Sequence, residues 1–163
     1  MVSKMTTSSW AEFSSDRVHR YALWRTWDKS KGIAMFIGLN PSTADEAKND
    51  PTVSRCINYA KHWGFGGMIM SNIFAYRATD PKMMKVAEDP VGPENDQWLL
   101  KLAKEASLIM ATWGNHGEFL ERGKAVISLF EGTELHCLTL NKTGHPKHPL
   151  YCSSTLKPVL IDR

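Results

Sequence analysis

The chain has 163 residues, of which 42% are hydrophobic and 23% charged, with a formal net charge of +3. Such a length fits one domain able to bury its own core, so neither disulfides nor structural metal are needed for folding. The mild basic excess is compatible with a polyanionic partner without demanding one.

The three cysteines, Cys56, Cys137 and Cys152, are widely spaced and odd in number, which reads as free thiols in a reducing compartment. Residues 1–10 are polar and lack the apolar stretch of a secretory signal. The apolar runs are far shorter than the ~20 residues of a membrane span, so a cytoplasmic protein without membrane contact is expected.

In chain order, residues 1–15 read as a loose arm or short helix, and 21–27 alternate as a strand. Residues 33–39 (IAMFIGL) form an uninterrupted apolar run that stops at Asn40-Pro41, as in a buried parallel strand. After a polar loop over 42–50, Asp50-Pro51 opens a helix: Asp50 suits the N-cap and Pro51 the first turn. Val53, Ile57, Tyr59, Ala60 and Trp63 give that helix an apolar face, and Gly64 ends it. A second buried strand spans 67–74, followed by a loop over 75–89 with one short helix. A helix over 93–106, a strand over 108–112, a helix over 118–130 and a fourth strand over 135–140 follow. A Gly/Pro/His loop covers 141–151, and the tail from Ser153 is short helix plus coil.

Strands alternating with helices predict an α/β fold: three layers, with a central, mainly parallel four-stranded sheet. The whole chain is expected to form this one domain. Ligands in such sheets sit beyond the carboxyl ends of the strands. Each of the four strand ends carries unusual polar residues: Asn40, Asn72, Trp113-Gly114-Asn115, and the loop holding His145 and His148. Pro41 stiffens its turn and holds Asn40 extended, so that its carboxamide is available to a water or a substrate; a plain turn is the simpler alternative. Asn72 interrupts an apolar strand, and a buried amide must find partners; its donor and acceptor match a nucleobase edge, or it is a core amide satisfied by backbone. His145 or His148 could stabilise developing negative charge. The H-x-x-H spacing lacks a third ligand, so no metal and no cofactor are expected. Arg55, Arg77, Lys82, Lys85, Lys142 and Lys147 lie near this edge, as phosphate contacts or as ordinary solvated charge. Trp63, Phe65, Phe74, Tyr76 and Trp113 are candidate stacking or core residues.

These residues carry a resemblance. Phe36-Ile37-Gly38-Leu39-Asn40-Pro41 resembles the first motif of the uracil-DNA glycosylase superfamily, in its Asn-containing form. Met70-Ser71-Asn72 resembles the strand whose Asn reads the base edge, and Ala111-Thr112-Trp113-Gly114-Asn115 resembles the Trp-Gly segment. His145-Pro146-Lys147-His148-Pro149-Leu150 is similar to the last, minor-groove motif, with His148 the better local match. The segments GLNPSTAD, NDPTVSRC, NIFAYRATDP, GPENDQWL and GHPKHPLY look like those of a bacterial and phage family of small domains related to these glycosylases. One branch looks like anti-phage enzymes that excise bulky modified bases, such as glucosylated hydroxymethylcytosine.

The resemblance implies a uracil-DNA glycosylase-like fold and a monomeric, monofunctional DNA glycosylase that flips its target base and leaves an abasic site. Asn40 would position water, and Asp45 or Asp50 would stabilise the sugar cation or take a proton. Asn72 would hold the base, and His148 or His145 would stabilise the leaving group. Gly38, Leu39, Pro41, Ser42, Phe74, Arg77, Trp113 and Asn115 complete the expected substrate pocket, with Arg55, Lys142 and Lys147 toward DNA. Ser42 stands where strict uracil enzymes carry the Tyr that excludes a C5 substituent, so a roomier site is expected. Two alternatives stay open: a hydrolase of free nucleosides or nucleotides, and a non-catalytic reader of modified bases.

Overall fold

A computed structural model of the chain describes residues 7–162; residues 1–6 of the expected N-terminal arm, and residue 163, lie outside the described residues. The fold is mixed α/β. Seven strands form one sheet: β1 (Ser8–Phe13), β2 (Arg20–Thr26), β3 (Ile33–Gly38), β4 (Gly67–Asn72), β5 (Leu108–Ala111), β6 (His136–Cys137) and β7 (Val159–Leu160), in the order β1-β2-β4-β3-β5-β6-β7. Four helices accompany it: α1 (Pro51–His62), α2 (Pro81–Lys85), α3 (Asn95–Ala103) and α4 (Arg122–Leu129).

The expected four-stranded sheet is therefore corrected to seven strands of mixed direction. The strands β4, β3, β5 and β6 do pair in parallel. Antiparallel β1 and β2 extend one side, and antiparallel β7 extends the other. Part of the expected arm is β1, whose Ser8-Ser9-Trp10 end is exposed, as suits an edge strand with only one neighbour to satisfy it. The tail likewise supplies β7 instead of the expected short helix.

The side-chain alternation of the inner strands explains the layers. Met35 and Ile37 of β3 face one core with Ile109, Leu99, Leu102 and Val126, beneath α3 and α4. Ala34 and Phe36 face the other with Met68, Met70, Val53, Cys56 and Tyr59, beneath α1. A period of two in the strands thus loads both faces of the sheet with apolar side chains.

Helix α1 starts as its sequence predicts. The Asp50 carboxylate accepts a hydrogen bond from the Val53 amide at 2.9 Å, Pro51 occupies the first turn, and Gly64 takes a φ of 86° just beyond the end. Three side chains one turn apart then reach the chain's last segment. Arg55 Nη1 donates to the Cys152 carbonyl at 3.2 Å, Tyr59 Oη to Ser153 at 2.7 Å and Trp63 Nε1 to Leu156 at 3.0 Å.

The helix expected over 118–130 is broken. Asn115–Glu121 forms 3-10 turns kinked at Phe119 and Leu120, and α4 begins only at Arg122. The cause lies in packing. The buried Trp113 indole lies against Gly117 and Gly123, where any Cβ would meet its ring. Phe119 turns inward instead, its ring 5.7 Å from that of Phe74. The strand expected over 135–140 shortens to His136–Cys137, because the chain then leaves the ladder and doubles back: Leu140 bridges Pro146, and the Lys147 amide donates to the Thr139 carbonyl.

Candidate functional site

The loops after β3, β4, β5 and β6 converge on one cavity of about 700 Å³, within the range of small-molecule sites. Asn40 enters it from the end of β3. The segment 38–41 is stitched to the segment after β4 by Ile73 N to Gly38 O, Phe74 N to Leu39 O and Ala78 N to Pro41 O. Asn40 Nδ2 donates to the Ala78 carbonyl at 2.7 Å and to the Pro41 carbonyl at 3.2 Å. Its Oδ1 accepts nothing among the described residues, and is the end left for a ligand. Ser42, bonded at 3.1 Å to Thr79 Oγ1, stands beside it in the wall.

Asp50 reaches the same cavity from the N-terminus of α1 and is only 6% exposed. Its two oxygens accept from Val53 N and, at 3.3 Å, from Ala44 N. Both bonds fix its orientation.

His148 closes the opposite side. Burial pushes its imidazole below the ordinary value of 6.5, partly offset by the nearby Asp50 charge. Nδ1 accepts from the Leu150 amide at 3.2 Å. A neutral ring whose Nδ1 accepts carries its proton on Nε2, so His148 is a neutral donor.

Trp113 and Asn115 complete the wall. Gly114, at φ 75°, turns the chain between them, and its amide donates to Pro146 O. Asn115 Oδ1 accepts from Asn141 Nδ2 at 2.9 Å and Thr143 Oγ1 at 2.6 Å, tying the β5 exit to the last loop. Lys147 and Leu39 also line the cavity.

A smaller chamber of about 30 Å³ adjoins it, sharing Leu39, Asn40, Ser42, Asp50 and His148. Gly38, Pro41 and Asn72 border this chamber, and so does Arg20. Asn72 is buried, and its Oδ1 accepts from Arg20 Nη2 at 3.3 Å.

The remaining sequence candidates line neither space. Asp45 folds its own loop, accepting from Ala47 N and Lys48 N, so Asp50 is the carboxylate at the cavity. Phe74 is core. Arg77 lies over the Phe13 ring and donates to Arg17 O. Arg55 holds Cys152. His145 shapes the hairpin through its carbonyl, which accepts from Asn141 N, and Lys142 is exposed. The lining also includes Thr52, His116, Asn141 and Tyr151, which the sequence reading did not single out. Thr52 had a signal, being in the first turn beside Asp50. Among the described residues, no group of three His, Cys, Asp or Glu side chains is placed to hold a metal ion, and no helix is long and apolar enough to cross a membrane.

No curated protein and no solved structure matches the chain. A family model described as "Protein of unknown function (DUF1643)" matches residues 20–150. The match runs from Arg20 past His148 and takes in Asn40, Asp50, Asn72 and Trp113, so the chain belongs to the DUF1643 family.

Proposed function

We propose that the protein is a monofunctional DNA glycosylase of uracil-DNA glycosylase-like fold, acting on a flipped, modified base and serving in defence against phages that carry such DNA. One observation carries this reading: Asn40 and Asp50, at the two ends of the loop between β3 and α1, and His148, from the loop after β6, line a single cavity with Trp113 in its wall. An amide oxygen, a carboxylate and a neutral imidazole donor are groups that can serve water-mediated cleavage of an N-glycosidic bond.

In this reading the base enters beside Trp113, whose buried indole backs the cavity wall. The bond from the sugar to the base loosens first, since an amide is too weak a base to drive water directly. Asp50 stabilises the positive charge on the sugar. Asn40 Oδ1 orients the water that captures it, and His148 Nε2–H donates to the departing base. Ser42, a small side chain at the rim, supports room for a C5 substituent. Lys147, from the last loop, is the cation placed to meet phosphate.

The test uses DNA containing uracil, a thymine mismatch, hydroxymethylcytosine or glucosylated hydroxymethylcytosine, followed by alkali. Strand breaks at one of these are expected, and Asn40→Ala should lower their rate by about 100-fold or more. Absence of breaks on every substrate, or an unimpaired Asn40→Ala variant, defeats the proposal. Hydrolysis of free nucleotides, or tight binding without breaks, supports instead the free-nucleotide hydrolase or the modified-base reader.

A further inference from the structure

Arg20 is a cation buried without a counter-ion in contact. It is 2% exposed, and none of the ion pairs among the described residues includes it. A guanidinium has five N–H donors. Here Nη1 donates to the Ala44 carbonyl at 3.2 Å and Nη2 to Asn72 Oδ1 at 3.3 Å, while Nε, also buried, has no partner. Burial lowers its pKa to about 10, with the Asp50 charge opposing the fall, so it stays protonated at neutral pH. Keeping a charge and unused donors out of water is costly unless something completes them.

The chamber that Arg20 borders suggests what does. Asn72 Oδ1 is engaged by Arg20, so the amide offers its Nδ2 end, which faces Gly38. A Cβ at position 38 would lie 2.9 Å from that nitrogen and 2.7 Å from Met70 Cε, so only glycine leaves the approach open. Both Asp50 oxygens already accept backbone amides. What Arg20 and Asn72 leave to a ligand are therefore donors, in a space of about 30 Å³. Such a space admits one or two non-hydrogen atoms but not a ring.

We propose that this chamber is an oxyanion site, in which Arg20 and Asn72 Nδ2 receive a carbonyl oxygen of the departing base. The proposal rests on the glycosylase reading and names its substrate class: a base with a ring carbonyl conjugated to the glycosidic nitrogen. When that bond breaks, its electron pair stays on the ring nitrogen and spreads to the carbonyl oxygen. Water oxygen bonds to the sugar carbon, and one water proton passes through Asp50 to solvent. The base anion takes a proton from water after release. Donors fixed where this charge develops stabilise the transition state more than the ground state.

A probe separates this from the glycosylase activity itself. 5-Nitrouracil is readily ionised, and its anion and neutral form differ in absorbance. The wild-type protein should bind the anion at least about tenfold more tightly than the neutral form, the effect of one opposite charge held close. Arg20→Gln and Asn72→Asp should both abolish that preference. Asn72→Asp gives Arg20 a permanent partner, so it serves even where Arg20→Gln melts. Failure of the wild-type protein to bind the anion, equal binding of the two forms, or a preference kept by Asn72→Asp overturns the oxyanion site. An intact preference with no abasic product on any DNA removes the glycosylase reading and leaves the donor chamber standing. Abasic product without the preference does the reverse.

Discussion

Asn40 and His148 show how a residue's chemistry follows from what holds its other end. Asn40 gives its nitrogen to two carbonyls, which leaves the oxygen to act. His148 gives Nδ1 to Leu150 N, which leaves Nε2–H to donate. Its depressed pKa has a consequence with a definite sign. A neutral His148 favours the folded state above pH 6.5, the value expected for the unfolded chain, and that contribution is lost as pH falls from there through the lower folded value. Protonation also removes the acceptor for Leu150 N. The rate of the proposed abasic-site formation should therefore be level above pH 6.5 and decline below it, together with the melting temperature; a rate that rises on acidification contradicts this. Among single residues, Asn40 was legible because Pro41 follows it at the end of an apolar run. Arg20 was not: a charge at the start of a strand reads as solvated, and nothing local says that the β3 and β4 loops will close over it.

At the scale of elements, Asp50 serves both a helix and the cavity, and two substitutions separate the roles. Asparagine caps a helix about as well as aspartate, whereas alanine costs about 1 kcal/mol. Asp50→Asn and Asp50→Ala should both lower the proposed glycosylase activity by about 100-fold or more. In urea melts, the alanine variant should lose that extra cap stability relative to the asparagine one. The broken helix after β5 gives a second prediction. A Cβ on Gly117 would lie 2.2 Å from Trp113 Cδ1, so Gly117→Ala should destabilise the fold by about 1–3 kcal/mol through overpacking. A melt unchanged from wild type would mean that the indole is free to move. The apolar runs of β3, β4 and β5 and the start of α1 were readable because run length, cap and proline all agreed. The continuous helix over 118–130 misled, since its periodicity is real and what breaks it is a tryptophan from before the segment. The polar β1 gave little signal, because an edge strand gains its backbone partners from a neighbour and needs few apolar residues of its own.

For the whole molecule, the net charge of +3 sets an expectation for partners. Of the three residues assigned to DNA from the sequence, Arg55 is engaged by Cys152 O, Lys142 is exposed away from the cavity lining, and Lys147 lines it. A binding isotherm on modified duplex DNA should thus show a shallow salt dependence. Lys147→Ala should reduce the slope of log K against log salt by about 1; an unchanged slope would remove Lys147 from the phosphate contacts. The α/β order was legible across the chain, and so was β2 as the strand expected over 21–27; the seven-stranded extent was not, because the edge strands β1 and β7 are held by antiparallel pairings of segments with weak local preference.

Helix α1 carries Asp50 at its head, and along its flank Arg55, Tyr59 and Trp63 grip residues 152–156 a few positions after His148. It therefore acts as a caliper, one jaw the carboxylate and the other the imidazole. The gap between the two groups that would flank a scissile bond is thus gauged by one helix, together with the exits of β5 and β6 that hold Pro146 and Lys147.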